Sequence, residues 1–258
     1  PVGLMSLPAL QDSLQIDWAT EPLDVEGGEG VQFRLPLDSF LAPTGRPAQL
    51  DLVKRYRLYP AGAERAGYVL DMETVIVNRN ATDVSVSFRQ EGPSGLTLEG
   101  WWYSVKISPN WFSGAGQRDV IYNTAAGKHG IASTRSVVDK ARKSETDMLT
   151  KYGPSDRQTP VGMPTIFLSD SEPLETRSLD YIALDAPYFN AAMLPHPADE
   201  DALDNLRSAA AFAVSHSPEE IDKAQLQATN TSFWFDTQEQ QLAAGAELSQ
   251  RYEFFIGP

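Results

Sequence analysis

The chain has 258 residues, room for one large β domain or two smaller domains, and its 41% hydrophobic and 10% aromatic content can bury a core, which excludes a disordered chain. It contains no cysteine, so disulfides, thiolate metal sites and cysteine nucleophiles are excluded. The formal net charge of −14 is concentrated late: residues 170–258 hold 16 acidic and 4 basic side chains, against 19 and 17 over residues 1–169, which disfavours nucleic acid and anionic lipid as partners.

The first hundred residues read as strands. Val31 to Leu35 alternates apolar and polar residues, as does the second half of Leu50 to Tyr59. Such a period of two sets one face on a core and one in water. Tyr68 to Val77 is a long β-branched run that ends at the turn-forming Asn78-Arg-Asn-Ala-Thr-Asp83, and Val84 to Phe88 alternates again. The two runs read as an antiparallel hairpin. After the turn Gly92-Pro-Ser-Gly95, Leu96 to Ile107 is an aromatic strand, residues 108–118 a loop, and Asp119 to Tyr122 a short strand.

The middle differs. Thr134 to Lys151 places Val137, Val138, Ala141, Met148 and Leu149 among charges and stops at Gly153-Pro154, a helical pattern. Val161 to Asp170 and Leu179 to Leu184 are strands. Asp199 to Val214 is expected to be helical, with acidic residues in the first turn where the helix dipole favours them. Phe233-Trp-Phe235 and Arg251 to Ile256 close the chain as strands. No apolar run approaches the ~18 residues of a membrane span. Pro1-Val2-Gly3 lacks the basic start and apolar h-region of a signal peptide, and the abrupt start and stop lead one to expect an excised piece of a longer protein.

No assembled catalytic or metal motif is present, and no cofactor is expected. His129, His196 and His216 stand in polar stretches without the i, i+4 spacing of a helical metal site. There is no nucleophile elbow and no phosphate-binding glycine loop. Asp199, Glu200 and Asp201, like Glu219 and Glu220, read as residues of helix first turns rather than acid/base pairs. The sharpest cluster is Trp101-Trp102-Tyr103. On a strand Trp101 and Tyr103 face one way and Trp102 the other, so one face packs inward and the other could bind a sugar or a peptide.

Three segments together resemble the periplasmic domain of the YidC membrane protein insertase family. The first runs from Tyr68 through Asn80 and on through Gly92-Pro-Ser-Gly-Leu-Thr-Leu-Glu-Gly-Trp-Trp-Tyr-Ser104. The second is Leu179-Asp-Tyr-Ile-Ala-Leu-Asp-Ala-Pro-Tyr-Phe-Asn-Ala-Ala-Met-Leu-Pro195, and the third is Leu242 and Gly245 followed by Tyr252 to Pro258. The resemblance covers about residues 50–258 and leaves 134–157 as a helical insertion. It implies a single all-β domain, an antiparallel β-supersandwich (galactose-mutarotase-like) with a few helices. It further implies a non-enzymatic periplasmic part of an inner-membrane protein, anchored by helices outside this chain. Its partners would be nascent membrane proteins and Sec translocon components such as SecDF, met through protein–protein contacts. The alternative is a carbohydrate-active enzyme or carbohydrate-binding module of the same architecture. An epimerase of that kind needs a histidine acid and a carboxylate base facing one pocket, which the settings of the three histidines oppose.

Overall fold

The computed structural model describes residues 2–3, 17–42, 49–62, 68–94, 118–134, 136–137, 165–169, 173, 178–186, 189–195, 206–213 and 230–258. In chain order the strands are β1 (Val2–Gly3), β2 (Ala19–Leu23), β3 (Glu29–Pro36), β4 (Leu50–Leu58), β5 (Val69–Asn78), β6 (Val84–Ser87), β7 (Arg89–Glu91) and β8 (Asp119–Thr124). They continue as β9 (His129–Ala132), β10 (Thr165–Leu168), β11 (Leu179–Asp185), β12 (Asn190–Pro195), β13 (Leu206–Ala213), β14 (Thr231–Thr237), β15 (Gln240–Leu242) and β16 (Glu247–Gly257). A single helical turn, α1 (Asp38–Leu41), lies between β3 and β4. The described chain is mostly antiparallel β-sheet with very little helix, as the alternation led one to expect. It divides into two compact units. One comprises Pro1–Arg89, Leu194–Asn205 and Asp236–Phe255, and the other Gln90–Met193, Leu206–Phe235 and Ile256–Pro258.

The first unit is built on five antiparallel strands in the order β2-β3-β4-β5-β16. The register is continuous: β4 runs against β5 from Leu50↔Asn78 to Leu58↔Leu70, and β16 against β5 from Glu247↔Val77 to Phe255↔Val69. Because side chains alternate, Leu35, Leu52, Ile76 and Leu248 fall in one row on one face. That row joins Leu37, Leu41, Leu50, Val86, Phe88 and Leu242 in the core of this unit. The expected hairpin of β5 with β6 is not formed. β5 already has β4 and β16 on its two edges, and β6 pairs with β1 and β15 instead. Asn78, fully buried, directs the chain out of β5: its amide donates to the carbonyls of Thr82, Leu242 and Ala243, each at 3.0 Å, while its Oδ1 accepts from the Asn80 backbone at 2.9 Å.

The second unit contains the antiparallel series β12-β11-β8-β9 and a four-stranded sheet ordered β10-β13-β14-β7. Val120, Tyr122, Ile182, Leu184, Ala191 and Met193 share one buried face of the first series. In the other sheet Phe233 is fully buried, and its carbonyl accepts from the Gly92 backbone at 2.8 Å. A Cβ at Gly92 would stand 2.5 Å from the Phe233 ring, so this close approach requires glycine.

The helix expected over Asp199 to Val214 is corrected: β13 is a strand, pairing Ala211 with Thr165 and Ala209 with Leu168. Alanine favours helix intrinsically, but Ala209, Ala210 and Ala211 are fully buried between β10 and β14, and ladder bonds on both edges override a weak propensity. The aromatic strand expected at 96–107 lies outside the described residues. So does most of the helix expected over 134–151, of which 134, 136 and 137 are helical.

Candidate functional site

On the face of the five-stranded sheet opposite the core row, strand pairing assembles a line of charged and polar side chains. Glu21, Gln32, Arg55, Glu73 and Arg251 stand directly opposite one another across β2, β3, β4, β5 and β16. The next row holds Arg57, Asp71 and Glu253. Opposite charges directly across a ladder attract, and here they are linked into one network.

Glu73 is its centre, with only 4% of its side chain exposed. Arg57 Nη2 reaches Glu73 Oε2 at 2.6 Å, and the Ser249 hydroxyl donates to Oε1 at 2.7 Å. Arg55 Nη1 and Arg251 Nε lie 3.5 and 3.6 Å from Oε1. Arg55 Nε in turn donates to Gln32 Oε1 at 2.8 Å, and Gln32 Nε2 to Glu21 Oε2 at 3.3 Å. Burial pushes the Glu73 carboxyl upward, but the hydrogen bonds from Arg57 and Ser249 and the charges of Arg57 and Arg55 outweigh it. The net shift is below the usual value. Glu73 is therefore ionised at neutral pH and a poor proton acceptor. Its effect is to orient guanidinium groups: Arg55 and Arg57 keep 21% of their side chains exposed and Arg251 43%. Three cations face four anions (Glu21, Glu253 and the buried Asp71 and Glu73), so the network carries no strong field of one sign.

A second carboxylate, Asp51, accepts from Arg79 Nε at 2.8 Å and from Arg34 Nη1 at 3.4 Å, while Arg79 Nη2 donates to Asp38 Oδ1 at 2.8 Å. This group ties α1 to the end of the sheet.

Of the residues expected from sequence, Trp101, Trp102 and Tyr103 lie outside the described residues, as do His196 and His216. His129 begins β9 rather than standing in a loop, is exposed, and has Nδ1 3.3 Å from the Gly127 carbonyl oxygen. Among the described residues no group of three or more His, Cys, Asp or Glu could hold a metal, and no helix is long and apolar enough to cross a membrane. Sequence reading missed the Glu73 network. The signal was there: Arg55-Tyr-Arg57 and Asp71-Met-Glu73 carry opposite charges at the same spacing of two on adjacent strands.

No family model matches the chain, and no curated protein does. Among solved structures, one from Synechocystis sp. PCC 6803 is 11% identical with a TM-score of 0.48, covering 94% of this chain and 66% of that one. A galactose mutarotase-like protein from Lactobacillus casei is 10% identical with a TM-score of 0.45, covering 93% and 74%. Another from Clostridium acetobutylicum is 8% identical with a TM-score of 0.46, covering 93% and 66%. The chain thus spans about two thirds to three quarters of the length of these structures.

The resemblance to the YidC periplasmic domain is corrected. Four of the similar structures are described as galactose mutarotase-like, galactose mutarotase-related or aldose 1-epimerase proteins and another as a TPR-domain containing protein, and none of these is described as an insertase domain. The pairing expected within the first of the three segments is corrected as well, since β5 and β6 belong to different sheets. Nascent membrane proteins, SecDF and a periplasmic setting were expected on that resemblance alone and have no other support.

Proposed function

We propose that this chain is a carbohydrate-binding domain that holds an uncharged polyhydroxylated ligand on the polar face of the five-stranded sheet and does not transform it. The observation that supports this is the Glu73 network. Its carboxylate is occupied by Arg57, Ser249, Arg55 and Arg251, and so serves to fix guanidinium donors beside acceptors. Sugar hydroxyls both donate and accept, and a charge-balanced array of fixed donors and acceptors matches them better than it matches an ion. Anomer interconversion by acid/base chemistry needs a group that exchanges protons near neutral pH, and the lowered pKa of Glu73 makes it unsuited to that role.

Two measurements on the full chain test the proposal. A glycan array should show retention of neutral glycans, weakened by Arg55→Gln, which removes the fork between Gln32 and Glu73. A polarimetric mutarotation assay with glucose and galactose should show no acceleration over buffer. Catalysed interconversion would turn the reading to an enzyme, and an array without signal would remove it.

A further inference from the structure

Apart from the polar rows, the same sheet face carries an aromatic pair. Tyr68, which leads into β5, is 57% exposed, and its ring meets that of Phe255 on β16 edge to face, with centroids 6.4 Å apart and planes at 75°. Phe255 is paired with Val69 and falls on the face that carries Arg251 and Glu253, because the three alternate along β16. At ~3.4 Å per residue, Phe255 lies ~13 Å along the strand from Arg251. The Arg57, Asp71 and Glu253 row stands between them.

Exposure of a large aromatic ring costs hydration, and its partner here holds it at an angle rather than covering it. A ligand that suits the whole strip needs an apolar ring face at one end and hydroxyls along the rest. The ring face of a sugar, with its C–H groups, fits the first need, and its hydroxyl edge fits the second. The strip is longer than one sugar ring. We infer that the ligand is a neutral oligosaccharide lying along the strand direction, with one ring stacked on Tyr68 beside Phe255 and further units hydrogen-bonded along the rows of Arg57 and Arg55. This inference rests on the carbohydrate reading above. The acidic Glu253, partly exposed between the two ends, disfavours a nucleic acid strand, whose phosphates would lie against it.

The test is isothermal titration calorimetry of the full chain with maltohexaose, cellohexaose and chitohexaose, each beside its monosaccharide. One hexamer should bind at least about tenfold tighter than its monomer. Tyr68→Ala should weaken hexamer binding at least about tenfold, and Tyr68→Phe should keep it. Equal affinity for hexamer and monomer, or full hexamer affinity in Tyr68→Ala, would overturn the oligosaccharide inference and leave the carbohydrate reading standing. Absence of binding by every sugar would overturn both.

Discussion

Two carboxylates show opposite responses to their surroundings, and acid titration separates them. Glu73 is held below its usual pKa, so its ionised form contributes stability above the ordinary carboxylate range, and this is lost as pH falls through the folded value. Asp185 is raised, first by burial and then by Asp119 directly across the ladder on β8. Its raised value means that ionisation costs stability, so the relative advantage is present in acid and lost as pH rises through the folded pKa. Melting temperature measured from about pH 3 to pH 7 should therefore diverge between two variants. Glu73→Gln should lower it at neutral pH, with the deficit shrinking in acid. Asp185→Asn should raise it at neutral pH, because like charges no longer face each other, with the gain vanishing near pH 3. Parallel curves for wild type and both variants would contradict these assignments. The individual charges were all visible in the sequence. What hid their role was register, since Glu73 and Arg251 are brought together only by pairing β5 with a strand from the far end of the chain.

At the level of elements, alternation located strands well wherever one face is core and the other polar. The expected run of residues 50–59 is β4, 68–77 is β5 shifted by one residue, and 179–184 is β11. The reading failed where burial is two-sided. β13 carries no alternation to see, and its alanines pointed to a helix. β16 was half legible. Its last residues, Arg251 to Ile256, were expected as a strand, and of Tyr252, Phe254 and Ile256, which alternate onto one face, only Tyr252 is buried and Ile256 is 46% exposed. The strand nevertheless begins earlier, at Glu247, and covers one whole edge of β5. Deleting residues 252–258 removes the buried Tyr252, worth about 1.5–3 kcal/mol by burial alone, and strips the ladder from Val69 to Met72. Against a net stability of about 5–15 kcal/mol, calorimetry should record a clearly lower melting temperature or aggregation. An unchanged transition would mean that the end of β16 contributes nothing to the unit.

For the chain taken whole, the balance of −14 sits mostly beyond residue 170 and sets like copies against one another electrostatically. The composition alone disfavoured phosphate-bearing partners, and nothing in the Glu73 strip reverses it. By contrast, the division into two units could not be read from composition, because each is assembled from three separated stretches of chain and no linker marks a boundary.

The place of β5 between β4 and β16 also sets a clock. Val77 pairs with Glu247, so the intervening chain must be made before that edge can be covered. At ~5–20 residues per second of synthesis, the wait is on the order of ten to thirty seconds. Throughout it, Val75-Ile76-Val77 presents an open, β-branched strand edge, the kind that recruits a like edge from another molecule. Closing so long a loop is slow in refolding as well. The yield of native protein after dilution from urea should therefore fall steeply as protein concentration rises. Yield independent of concentration would mean that something other than β16 guards this edge while the chain is incomplete.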